Sequence, residues 1–206
     1  MPAYLRNPPL DDDDLDRDPL RQFALWLADA QAAELVEPTA MSLATCDAAG
    51  NPSQRMVLFK GLVDGGFSFY SNYESRKGSD LASNPRAALL FWWDKLERQV
   101  RVEGAVERLG PELSAEYFHA RPRLSQLASY TSRQSRMVES RAVLQQRMAE
   151  NTQRFEDQEV PCPAHWGGYR VIPERLEFWQ GQRGRFHDRL IYEADGGAWR
   201  IQRLEP

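Results

Sequence analysis

A chain of 206 residues, 42% hydrophobic and 27% charged, suffices for one domain with one substantial core. A net charge of −4 gives no long-range pull toward nucleic acid or an anionic membrane, and no stretch nears the roughly 18 consecutive apolar residues of a spanning helix. The two cysteines and three histidines match no disulfide framework or metal-ligand spacing, so no metal is expected.

Residues 1–18, with Pro8, Pro9 and the acidic run Asp11–Asp14, read as a mobile, solvated leader. They lack the basic start and apolar run of a secretory signal, so the expected location is cytoplasmic. Asp18-Pro19 supplies an N-cap followed by proline at the first helical position, and Leu20, Phe23, Leu27 and Ala30 continue at helical spacing to about Glu34. From Ala40 the period becomes two. Met41–Thr45 and Gln54–Lys60 predict a hairpin around the Asp47–Asn51 turn, with Cys46 as a buried small hydrophobe. Asp64-Gly65-Gly66 turns into a strand at Phe67–Tyr70, and a short helix over Arg76–Ala82 stops before Asn84-Pro85.

Ala87–Trp93 is an apolar strand and Gln99–Val106 an alternating one. Pro111–His119 opens a helix, Arg121–Ser140 is polar and basic, and Arg141–Phe155 is helical again. Four more strands follow, at Gly168–Ile172, Arg175–Trp179, Leu190–Glu193 and Trp199–Arg203. The connections are too short for parallel crossovers, so the expected fold is mainly β with flanking helices: an antiparallel barrel forming one domain over 19–206.

Four stretches concentrate chemistry. Arg55-Met56-Val57-Leu58-Phe59-Lys60 puts a cation at each end of an apolar strand, which also suits plain solvent-facing ends. Tyr70-Ser71-Asn72-Tyr73-Glu74-Ser75-Arg76-Lys77 runs a strand into hydroxyls and paired cations, suited to a phosphate monoester or to simple capping. Tyr117 and Arg121 are four apart and share a helix face if the helix continues to Pro122. From Arg121 to Arg141 there are five arginines against one acid, Glu139, whereas His119 has no evident partner.

The densest stretch is Phe178–Arg189, where an aromatic strand ends in a glycine-flanked loop with Arg183, Arg185, His187, Asp188 and Arg189. Trp179 suits a planar ring ligand or the core, and His187 beside Arg185 suits acid/base or orienting work. Neither GxGxxG nor GxxxxGK[ST] occurs, so side chains would have to hold any cofactor phosphate. The residues alone give an anion-rich, aromatic-lined pocket and no reaction.

RMVLFK, FYSNYESRKG, LERQVRVEGAVERL, YFHARPRLSQ, SRQS, FWQG and FHDRL, in that order, resemble the pyridoxine 5′-phosphate oxidase family from about Asp18 to the C-terminus. The resemblance implies a six-stranded split barrel that dimerises, with FMN between subunits. It implies FMN contacts from Arg55, Met56, Val57, Leu58, Lys60, Tyr70, Ser71, Arg76, Lys77, Gln99, Gln134, Ser135, Trp179 and Arg189, some from the partner subunit. Lys60, Tyr117, Arg121 and Ser125 would hold the substrate phosphate, and Arg185 with His187 would cover the pyridine ring and act in catalysis. The implied reaction oxidises pyridoxine or pyridoxamine 5′-phosphate to pyridoxal 5′-phosphate with O2 and releases H2O2. Tyr4 and Arg6 are possible counterparts of a substrate-covering N-terminal segment, but the DDDD run departs from the pattern there and neither is assigned. Two alternatives remain: a phenazine-type flavin oxidase on this fold, and a non-catalytic flavin- or haem-binding split barrel.

Overall fold

The computed structural model describes residues 7–206, so Tyr4 and Arg6 lie outside the described residues. Helix α1 (Pro19–Ala32) is capped by the Asp18 side chain, which accepts from the Leu20 amide at 2.9 Å. Strands β1 (Ala40–Cys46) and β2 (Pro52–Leu58) form the expected hairpin, its turn held by the Asp47 side chain. Strands β3 (Leu62–Val63) and β4 (Gly66–Asn72), helix α2 (Arg76–Ser83), and strands β5 (Arg86–Trp93) and β6 (Arg98–Arg108) follow. Helices α3 (Pro111–Ala120), α4 (Arg123–Thr131) and α5 (Arg141–Arg154) precede β7 (Trp166–Gln180), β8 (Asp188–Asp195) and β9 (Ala198–Arg203).

The antiparallel order β2-β1-β5-β6-β7-β4 makes six long strands, with β3 extending past β4 and β8 and β9 extending from β7. The ring closes where the Lys60 amide donates to Ser68 O at 2.9 Å and the Ser68 amide donates to Gly61 O at 3.0 Å. Away from that point β2 and β4 are not paired with each other, and this split matters below. Alternation sends Met41, Leu43, Phe67, Phe69, Leu89, Phe91, Val100 and Val102 inward, where they are buried. Helix α1 plugs the barrel with Phe23, whose ring lies 4.8–5.3 Å from those of Phe59, Phe67 and Phe91. A smaller cluster of Phe118, Leu127, Phe155, Val160 and Trp166 fixes α3 to α5 on the outside.

Several local expectations are corrected. The two strands expected at Gly168–Ile172 and Arg175–Trp179 are one, because a register shift between Glu103 and Gly104 accommodates Pro173, which has no amide to donate. A Cβ at Gly104 would fall 1.8 Å from Ile172 O, so only glycine fits that crossing. Helix α4 arises inside the polar stretch, with Leu127 its only buried residue. Cys46 is half-buried rather than buried, since it follows inward-facing Thr45 in the alternation. His119 does have a partner, Glu159, at 2.9 Å.

Within the described part of the leader, residues 7–18, the chain is anchored on the barrel although Asp11–Asp14 are exposed. Leu10 and Leu15 join the core, Asp12–Asp14 form a single 3-10 turn, and Arg203 pairs with Asp12 at 3.1 Å. No helix among the described residues is long and apolar enough to cross a membrane.

Candidate functional site

The split between β2 and β4 opens a pocket of about 830 Å³, roofed by α3, α4 and the chain after α4. Arg55, Met56, Val57, Leu58 and Lys60 line one wall, and Tyr70, Ser71 and Asn72 the other. At one end Lys77, almost fully buried on α2, donates to Gln134 Oε1 at 2.8 Å. The Ser71 hydroxyl donates to the same oxygen at 3.3 Å. Burial and the Arg55 guanidinium push the Lys77 ammonium down to about 8.

Arg55 is seated from behind, donating to Thr45 Oγ1 at 2.7 Å and to Ser53 Oγ at 2.6 Å. Thr45 in turn donates to the buried Asp80 at 2.6 Å, which also lies 3.8 Å from Arg55. Two cations, a hydroxyl and an amide thus converge on one end of the pocket, a donor set suited to a phosphate monoester that no glycine-rich loop could otherwise hold.

Tyr117, Arg121 and Ser125 form a second group on the pocket lining. Tyr117 and Arg121 do not share a helix face. Helix α3 stops at Ala120 because Pro122 forces Arg121 into extended backbone, with φ −78° and ψ 155°. Arg121 nevertheless swings into the pocket, its guanidinium 4.1 Å over the Trp166 ring. Its Nη1 donates to Ser129 Oγ at 3.0 Å, while Nε and Nη2 are buried without a hydrogen-bond partner. A buried, unsatisfied guanidinium edge is costly unless an anion completes it. Tyr70 and Tyr117 stack at 3.9 Å beside it.

A second cluster lies on the outer face of the β6-β7-β8 segment. Gln99, Trp179 and Arg189 are register partners in a row, with Trp92 flanking Gln99 on β5. Arg189 is gripped by buried Glu177 through contacts of 2.8 and 3.1 Å. His187 sits 4.6 Å from the Trp179 ring, and its Nδ1 accepts from the Gln182 amide at 3.1 Å, which leaves the proton of the neutral ring on Nε2. Burial and Arg185 lower the His187 pKa, against an opposing pull from Asp188, which favours the neutral imidazole. Arg185 itself has φ 64°, a left-handed conformation that non-glycine residues seldom hold outside functional loops. Gln182 and Asp188 tie this loop to the N-terminal segment, since Gln182 donates to Pro8 O and Asp188 accepts from the Leu10 amide.

The structure therefore brings Arg55, Met56, Val57, Leu58, Lys60, Tyr70, Ser71, Lys77, Tyr117, Arg121, Ser125 and Gln134 into one pocket. Gln99, Trp179, Arg185, His187 and Arg189 do not line it, and neither do Arg76 and Ser135, both exposed near its mouth in sequence. Strand β7 pairs with β4 and borders the pocket only at its start, Trp166, whereas Trp179 stands near its far end beside β8. Sequence reasoning missed Ser129 and Trp166 in the pocket and Thr45 and Asp80 behind it. Thr45 did carry a signal: a polar side chain at an inward strand position requires a buried partner. Among the described residues no group of three or more His, Cys, Asp or Glu is gathered to hold a metal ion.

Comparison with known proteins completes the description. A family model described as pyridoxamine 5′-phosphate oxidase matches residues 27–155, and one described as the pyridoxine 5′-phosphate oxidase C-terminal dimerisation region matches residues 166–206. A pyridoxine/pyridoxamine 5′-phosphate oxidase of Rubrobacter xylanophilus is 54% identical over 96% of this chain and 91% of its own length. One from Trichormus variabilis is 51% identical over 94% and 91%. Among solved structures, PhzG from Burkholderia lata in complex with tetrahydrophenazine-1-carboxylic acid superposes with a TM-score of 0.89 at 31% identity, covering 94% of this chain and 95% of that one. An FMN-binding protein of Nostoc punctiforme shares the fold at a TM-score of 0.73 and 13% identity, covering 92% and 98%.

Proposed function

The chain belongs to the pyridoxine/pyridoxamine 5′-phosphate oxidase family, and we propose that it binds FMN and oxidises pyridoxine or pyridoxamine 5′-phosphate to pyridoxal 5′-phosphate, O2 being reduced to H2O2. The observation that carries this reading is a single pocket lined by two cationic groups, one of Arg55 and Lys77 and the other of Arg121 with an unpartnered guanidinium edge. Two phosphorylated ligands side by side need that arrangement. The tetrahydrophenazine acid bound by PhzG carries a carboxylate and no phosphate, and relatives above 50% identity carry the phosphate-substrate name instead.

FMN, when bound, supplies two-electron acceptance from C4′ of the substrate and reoxidation by O2. Arg55, Ser71, Lys77 and Gln134 would hold its phosphate, with Arg76 and Ser135 at the rim, and Met56, Val57, Leu58 and Tyr70 would flank its ring. Lys60, Tyr117, Arg121 and Ser125 would hold the substrate phosphate.

Gln99, Trp179, Arg185, His187 and Arg189 complete the site from a second protomer, because within one chain they lie on another face. A homodimer fits the dimerisation-region match and the exposed apolar side chains Met56, Leu58 and Trp92 on the outer barrel face. In the assembled site, Arg185 and the His187 Nε2–H orient the pyridine ring and stabilise charge developing on it. Turnover decides the reading: purified, flavin-loaded protein given pyridoxine 5′-phosphate and O2 should form pyridoxal 5′-phosphate and H2O2 in equal amounts. Flavin released by acid should chromatograph as FMN, and release of FAD would contradict the cofactor assignment.

Lys77 sets a pH dependence. A phosphate beside it favours the ammonium, so the bound state has the higher pKa and takes up a proton on binding above pH 8. FMN affinity is therefore expected to fall as pH rises through about 8, by at most about tenfold per pH unit, in fluorescence titrations of the apoprotein. Lys77→Met should bind more weakly at pH 7 and lose that limb.

A further inference from the structure

Resting on the reading that Arg121 receives the substrate phosphate, we infer that Ser129 and Trp166 are positioning residues that present Arg121 as a preformed two-toothed clamp, and that this clamp selects phosphorylated substrates. The two unpartnered nitrogens of Arg121 are Nε and Nη2. These lie along one edge of the guanidinium plane, and their parallel N–H bonds match two oxygens of one phosphate.

The remaining parts of the group are occupied. Nη1 is tied to Ser129 Oγ at 3.0 Å, and one face lies 4.1 Å over the Trp166 ring. Phe118, 4.9 Å away, adds a second aromatic contact. Trp166 is fixed in turn by an edge contact to Phe118 at 5.2 Å and a stacked contact to Tyr70 at 5.5 Å.

Ser129 stands on α4 one turn after Ser125, so a single helix supplies both a pocket hydroxyl and the tether of the arginine. An extended Arg121 after α3 would otherwise have many rotamers to lose on binding. The tether and the stack remove most of that freedom beforehand, which is how preorganisation raises affinity without a new contact.

The test uses the FMN-loaded enzyme and reads kcat and KM for pyridoxine 5′-phosphate together with the inhibition constant of inorganic phosphate. Ser129→Ala should raise KM and the inhibition constant in parallel, about 3- to 10-fold, with kcat unchanged. Ser129→Thr, which keeps the hydroxyl, should restore both. Trp166→Phe should raise the same two constants about 2- to 10-fold, its thermal midpoint showing whether the fold is intact.

Unchanged KM and phosphate inhibition in Ser129→Ala would overturn the inference, as would an equal loss against unphosphorylated pyridoxine. A wild-type enzyme that turns over no phosphorylated vitamer would defeat the proposed function instead. Calorimetric binding of inorganic phosphate would then decide the clamp alone, which stands if Ser129→Ala weakens that binding and falls if it does not.

Discussion

Replacing His187 by alanine is expected to lower kcat/KM about 100- to 1,000-fold while the purified protein keeps nearly all its flavin. The Gln182 amide donates to Nδ1, which orients the ring and puts the neutral imidazole's proton on Nε2. A preorganised donor aimed at developing charge is typically worth about 2.7–4 kcal/mol, which gives the stated range. The ring also packs against Trp179 at 4.6 Å, but the proposed grip on the flavin phosphate is Lys77 and Arg55 and does not involve His187, so flavin content should survive. Arg185→Ala should behave alike. Steady-state kinetics beside absorbance-measured flavin content tests both, and near-normal kcat/KM in either variant would remove the ring-covering role.

Arg121→Ala should raise KM for pyridoxine 5′-phosphate about 10- to 150-fold, since a charge-assisted hydrogen bond contributes roughly 1.5–3 kcal/mol. The buried Nε and Nη2 have no hydrogen-bond partner among the described residues, so what that edge would contribute falls on the ligand. Unphosphorylated pyridoxine lacks the group that Arg121 would grip, and its slow turnover should barely change. FMN should remain bound, because the proposed grip on its phosphate, Lys77 with Gln134, shares no hydrogen bond with Arg121. Equal losses for both substrates would mean that this cluster serves the wrong ligand.

Much of the site was legible because its chemistry is local. Arg55, Tyr70, Ser71 and Lys77 sit in strands and turns whose alternation and punctuation are visible residue by residue, and the barrel's hairpins follow from the same period of two. Trp166 and Ser129 were not legible. Nothing near Trp166 in the chain tells that the start of β7 lies under an arginine 45 residues earlier, a contact made only by the packing of α3 and α4 against the barrel. Helix α4 hid for a related reason: it is short, mostly polar and buries Leu127 alone, so its stability comes from packing against its neighbours.

For residues 7–18 the mobile-leader reading lacked the anchors, because composition reports Pro8, Pro9 and four aspartates only. The anchors are Leu10 and Leu15 in the core and Arg203, which approaches from the last strand. The separation of His187 from the pocket could not be seen in sequence either, since chain order says nothing about which copy of a protein completes a site.

That separation supports the central claim, that each site joins one protomer's β2–β4 pocket to the partner's His187 loop. Mixing Arg121→Ala with His187→Ala, dissociating the dimers and letting them reassociate tests it directly. Each heterodimer then holds one doubly damaged site and one intact site. With half the dimers mixed, activity at substrate concentrations well below the wild-type KM should recover to about a quarter of wild type. Activity that stays at the average of the two separate variants would contradict a shared site.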